Sequence, residues 1–131
     1  MTGLIRLGGI HQYHPSFGQR ISIARGKCGT DEQVLPLAPS PQLFKKFLND
    51  WKGKPGSAWW SEYESDYWDG LRSCPSPVFG RAMDRILKSR DPIFLYCFCQ
   101  GSEFCHRSLA VRILRHNAPK AGRSPQSIIL L

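Results

Sequence analysis

Polar and apolar residues alternate in "RISIAR", Arg20 to Arg25, and isoleucine holds the apolar positions, which predicts a strand with one buried face. Gly26 to Ser40 is punctuated by Gly26, Gly29, Pro36 and Pro39 and reads as a long connection. From there the period changes. Leu43, Phe44, Phe47, Leu48 and Trp51 recur at helical spacing behind Ser40, a capping residue, and Pro41, which suits a first helical position, so a helix over about 41–51 is predicted. "GKPGS" is a turn, and Ser57 is placed to cap a second helix running to about Leu71, with Trp60, Tyr63, Tyr67 and Leu71 on one stripe. That stripe reads as core, because Glu62, Asp66 and Asp69 around it would repel a phosphate backbone.

A third helix is predicted within residues 75–91, its apolar face formed by Val78, Phe79, Met83, Ile86 and Leu87 and its last turns basic. "PIFLYCF", 92–98, is a short and nearly unbroken apolar run, the pattern of a central strand covered on both faces. Leu109, Ala110, Ile113 and Leu114 restore helical spacing until Asn117 and Pro119, and "SIILL" is a candidate last strand. This order predicts an α/β fold: a small, mostly parallel sheet with helices on both faces, in three layers.

Composition sets bounds on that picture. With 131 residues, 41% of them hydrophobic, residues 1–131 are expected to form a single domain with its own core. No apolar stretch is long enough to span a bilayer, and Met1 to Gly9 carries Arg6 and several glycines where a signal segment would be apolar. The expectation is a cytoplasmic protein with no membrane association. Eighteen Lys and Arg against ten Asp and Glu leave a net charge of +8, which favours a phosphate-bearing small molecule or a nucleic acid as partner. The basic residues are scattered in groups and form no dense stripe with stacking aromatics between them. Five cysteines is an odd number, and three of them fall within nine positions, so reduced thiols are expected in place of a disulfide framework.

The chemistry concentrates in "FLYCFCQGSEFCHRSLAVRIL", residues 94–114. Open α/β sheets bind ligands beyond the carboxyl ends of their strands, where the next helix presents free N–H groups to anions, and residues 97–108 occupy such a junction. Soft thiolates and an imidazole suit zinc, so Cys97, Cys99, Cys105 and His106 are candidate metal ligands, although the spacing matches no familiar zinc motif. Alternatively Cys105, at the helix start beside His106 and Arg107, is a thiolate nucleophile, with Cys99 a second candidate. Seven residues separate Cys99 from Arg107, which does not fit the five-residue loop of tyrosine phosphatases.

In a further reading Arg107 is an anion fork, Ser108 a hydrogen-bond partner and His106 a proton carrier, and Arg25 reaches the same sheet edge from the first predicted strand. A thiol redox role for Cys97 and Cys99 is a fourth reading, with a strained ring if they pair. His11, His14 and Cys28 receive no role.

"ISIAR", "LAPSPQLFKKF", "WSEYESDYWDGL" and the cysteine segment, in that order, resemble the domain-of-unknown-function family number 488 over residues from about 19 to 116. The resemblance rests mainly on the Leu-Ala-Pro-Ser and Cys-His-Arg elements. It implies an α/β fold and a site made by Arg25, Cys97, Cys105, His106 and Arg107. Cys99 departs from the family's pattern, which often has an acidic residue after the first Cys, and Glu103 is the nearby carboxylate that could replace it. The resemblance brings no reaction with it.

Two functions from different classes follow from these readings. In one, the domain is an enzyme carrying out hydrolysis or group transfer on a nucleotide-type substrate, with Cys105, His106, Arg107 and Cys99 catalytic and Arg25, Arg107 and Ser108 binding it. In the other it is a non-enzymatic basic module that binds nucleic acid or protein and keeps its cysteines in the core or on zinc.

Overall fold

The computed structural model describes residues 3–99, 101 and 103–131. Five strands, Ile5–Gly9 (β1), Gln19–Ser22 (β2), Glu32–Gln33 (β3), Ile93–Cys97 (β4) and Ile128–Leu130 (β5), form one sheet in the order β3-β2-β4-β1-β5. Every pairing is parallel, with Ile5 opposite Ile93 and Ile128, and Ile21 opposite Leu95 and Glu32. Four α-helices, Pro41–Lys46 (α1), Trp60–Arg72 (α2), Ser76–Leu87 (α3) and Arg107–Asn117 (α4), lie in the connections. The small α/β fold expected from the sequence is present, and among the described residues no helix is long and apolar enough to cross a membrane.

The layers are unequal, and strand order gives the reason. Alternate strand residues Ile5, Leu7, Ile21, Ile93 and Leu95 share one buried cluster with Tyr63 and Tyr67 of α2, Met83 and Ile86 of α3, and Leu109 and Ile113 of α4. Phe94 and Tyr96 point the other way. That face is covered by two short 3-10 turns, Ile10–Gln12 and Pro15–Phe17, and the rings of Tyr13 and Phe17 lie 5.3 and 5.9 Å from that of Phe94. From β1 the chain passes over β4 to β2, whereas from β4 it passes over β1 to β5. Crossovers of one hand that run in opposite directions must use opposite faces of a sheet.

Local chemistry explains most element boundaries. The Ser40 side chain accepts a hydrogen bond from Leu43 N at 3.1 Å, so α1 starts where its cap and Pro41 place it. It then loosens into a π-type turn, Phe47–Trp51, where a regular helix is expected from spacing alone. The second helix is not capped by Ser57. A 3-10 turn, Gly56–Ala58, intervenes, and α2 begins at Trp60. The expected long connection after β2 holds β3, which Arg85 of α3 ties down through two hydrogen bonds of 2.8 Å to Glu32.

The N-terminal segment, which the hydrophobic pattern leaves unassigned, is β1, with a partner on each side. "IRLGG" has two glycines and one charge in five residues, and only its two neighbours make it a strand.

Candidate active site at the carboxyl ends of the second and fourth strands

The chain leaves β2 outward to β3 and leaves β4 in the opposite direction toward β5, so the crevice between the ends of β2 and β4 is the switch point of the sheet. Residues 24–26 form one lip and 97–99 the other. Gln33 Nε2 holds the first lip by donating to Ala24 O at 2.7 Å and Gly26 O at 3.0 Å. The second lip passes so close to β1 that a Cβ on Gly9 would lie 2.8 Å from Cys99 O and closer still to the His11 ring, which explains a glycine there.

Three sulfurs meet in this crevice. Cys97 closes β4 and Cys105 precedes α4; both are buried, and their Sγ atoms lie 3.2 Å apart. Cys99 falls beyond the end of the strand and is exposed, yet its sulfur is within 4.8 Å of the other two.

Arg107, only 1% exposed, donates from Nη1 to Cys97 Sγ at 3.2 Å and to Cys99 O at 3.1 Å, while its Nε has no hydrogen-bond partner among the described residues. No carboxylate among the described residues pairs with it. A buried guanidinium without a counter-charge is costly, and the nearest group able to become an anion is the Cys97 sulfur.

His106 is buried and its Nε2 lies 2.7 Å from Ile23 O. A carbonyl only accepts, so Nε2 carries the proton and Nδ1 presents its lone pair, 3.8 Å from Cys105 Sγ. Burial lowers the His106 pKa, opposed by the negative charge on Cys97, and the ring stays neutral at physiological pH.

The thiols divide their roles. Hydrogen bonds from Cys105 and Cys99 pull the Cys97 pKa down and favour its thiolate. The hydrogen bond that Cys105 gives to Cys97, with burial added, pushes the Cys105 thiol up and keeps it protonated. At Cys99 the hydrogen bond from Cys105 favours a thiolate, but the bond with Cys97, burial and the Cys97 charge together raise its pKa.

A cavity of about 380 Å³ opens onto the sulfurs. Phe44, Phe47, Trp59, Tyr63 and Phe104 wall it, Arg25 and Lys52 are its cations, and among the described residues no Asp or Glu lines it. Half-exposed Phe98 and Leu48 edge it as well. Arg25 is held by its Nε–H bond to Pro39 O at 2.9 Å. Gly56 matters for this wall: a Cβ there would lie 2.1 Å from the Phe104 ring, so the turn before α2 is where Phe104 seats.

The residues singled out by sequence therefore separate. Cys97, Cys99, Cys105, His106 and Arg25 face the cavity, and Arg107 stands behind Cys97. Ser108 does not reach it, because its hydroxyl donates back to Cys105 O at 2.8 Å. Of the first N–H groups of α4, Ser108 N is occupied by Cys105 O and Leu109 N by His106 O. Glu103 is exposed and outside the lining. His14 bonds to Ser16 on the far face, and Cys28 donates to Asp31 O. Of the aromatic wall, Phe44, Phe47 and Tyr63 are legible in the sequence as helical apolar positions, whereas Trp59 and Phe104 carry no periodic signal.

The three sulfurs are close enough together to hold a metal ion, although thiolates on one zinc sit about 3.8 Å apart and the Cys97 and Cys105 sulfurs, at 3.2 Å, would have to separate. His106 is not in that group, and the Arg107 cation lies against one of the sulfurs.

No curated protein and no solved structure matches the chain. A family model does, over residues 14–118, and its description is the active DUF488-N3 subclade. That span includes β2 through α4 and every residue of the sulfur cluster, and on it the chain belongs to the DUF488 family.

Proposed function

We propose that residues 1–131 act as one thiol-dependent enzyme domain of a reducing compartment, the cytoplasm, carrying out hydrolysis or group transfer on a nucleotide-type substrate. One observation carries this reading: a buried arginine with no acidic partner among the described residues, set against Cys97 at the base of a cavity. The neighbouring Cys105 thiol donates to Cys97 and favours its thiolate, and the Arg107 guanidinium at 3.2 Å supplies a counter-charge, so the nucleophile is Cys97 and Cys105 is its hydrogen-bond donor.

The cavity's chemistry supports the substrate class. Aromatic walls suit a planar ring, and Arg25 and Lys52 suit a phosphate attached to it. The Cys97 sulfur forms a bond to the substrate's electrophilic atom while the leaving group departs, and the neutral His106, through Nδ1, is the base within reach.

The test is alkylation of the native protein, purified without chelator, between about pH 6 and pH 9. An ordinary thiol reacts about tenfold faster per pH unit below its pKa, because only the thiolate attacks. Cys97 should be alkylated by iodoacetamide at a nearly constant rate over that range, and Arg107→Met, which removes the counter-charge, should make the rate rise with pH. In parallel, adenosine monophosphate should quench tryptophan emission saturably, with affinity about tenfold weaker in Arg25→Ala.

The reading fails if stoichiometric zinc is found with all three thiols shielded. It fails equally if a basic oligonucleotide-binding surface is found whose affinity falls steeply with salt and ignores Cys97→Ser.

A further inference from the structure

Two of the site's sulfurs, those of Cys97 and Cys105, are in direct contact, and the nucleophilic role of Cys97 makes no use of the second as a reactant. Cys97 and Cys105 have their Sγ atoms 3.2 Å apart, so a disulfide of about 2.05 Å requires them to close by only about 1 Å. Cys97 and Cys105 both line the cavity, which a small molecule can enter. The free lone pair of His106 Nδ1 stands 3.8 Å from Cys105 Sγ, on the sulfur that would have to lose a proton. Cys97 and Cys99, the pair the spacing first brings to mind, lie on either side of the strand end, and Cys99 is exposed.

We propose that Cys97 and Cys105 are a thiol–disulfide couple that reduces small hydroperoxides, Cys97 as the attacking sulfur and Cys105 as the resolving one. This rests on the reading of Cys97 as the thiolate and assigns the site a second class of substrate.

The Cys97 thiolate attacks the terminal oxygen of the hydroperoxide, an S–O bond forms and the O–O bond breaks. The sulfur is oxidised by two electrons to the sulfenic acid, and the departing alkoxide or hydroxide takes a proton from water. Cys105 then gives its proton to His106 Nδ1 and attacks the Cys97 sulfur. The S–S bond forms, the S–O bond breaks, and the hydroxide leaves as water with that proton. A low-molecular-weight dithiol returns both thiols and completes the cycle. Arg107 serves the first step by holding the Cys97 sulfur as an anion.

The experiment treats the full chain with one equivalent of hydrogen peroxide and maps the cysteines by peptide mass spectrometry. A Cys97–Cys105 link, loss of two titratable thiols and recovery of both with dithiothreitol are expected. In Cys105→Ser, a sulfenic acid on Cys97 should instead be trapped by dimedone. A Cys97–Cys99 link, or oxidation of Cys97 straight to the sulfinic acid in the unmodified chain, overturns the couple. In that case pH-independent alkylation of Cys97 still upholds the thiolate reading. If Cys97 is inert to both peroxide and iodoacetamide, the couple and the thiolate fall together. Circular dichroism of each variant separates loss of chemistry from loss of fold.

Discussion

Gly56 and Phe104 show how one missing methyl group shapes a pocket. The Phe104 ring rests where a Cβ on residue 56 would be, and through that contact it reaches Trp59 and Trp60, at centroid distances of 6.3 and 6.1 Å. Gly56→Ala should push the ring off the turn, cost about 1–3 kcal/mol of stability in urea denaturation and shift tryptophan emission. The cost should vanish in a Phe104→Ala background, because the two side chains compete for one space, and a double-mutant cycle measures that coupling. Equal penalties in both backgrounds would mean that the contact is not what excludes alanine. At the same scale Arg107 acts through its burial: a guanidinium at the surface would be screened by water and would do little for a thiolate.

The elements place these residues by their ends. β4 stops at Cys97 and α4 starts at Arg107, so the strand end and the helix start bring residues eight apart in sequence to sulfur contact. α1 contributes Phe44 to the cavity wall and depends on its first turn. Ser40→Ala removes the acceptor for Leu43 N and should cost about 1 kcal/mol, read from chemical denaturation, while Ser40→Asp should retain most of the stability. If Ser40→Ala leaves the midpoint unchanged, Pro41 alone is starting the helix. The π-type turn that follows, Phe47–Trp51, reorients the chain so that Phe47 lines the cavity while Trp51 stacks on Trp59 at 5.7 Å.

Over the whole molecule a second buried arginine has a purely structural task. Arg123 donates to the carbonyl oxygens of Leu87, Gly3 and Ser89, joining the end of α3, the entry to β1 and the approach to β5. Arg123→Met keeps the stem but strands those carbonyls, and should cost about 2–4 kcal/mol in urea denaturation without altering the alkylation profile of Cys97. A variant as stable as the parent would show that water replaces the guanidinium.

Arg123 meets several carbonyls, whereas Arg107 meets one carbonyl and a sulfur, and no local sequence pattern distinguishes the two. What the sequence determined by itself is what short-range periodicity and capping encode. That includes the strand at β4, the four helices to within a few residues, the Ser40 cap, and the concentration of thiols, His106 and Arg107 at one strand-to-helix junction. Only the tertiary structure decided that "IRLGG" is an interior strand, since its hydrogen bonds come from partners far along the chain. Tertiary structure likewise put Trp59, Phe104 and Lys52 around the sulfurs and turned Ser108 away from them. It also gave Cys97 and Cys105 different protonation preferences. A thiol's pKa depends on burial and on which neighbour donates to it, and those are distances in space that residue order does not record.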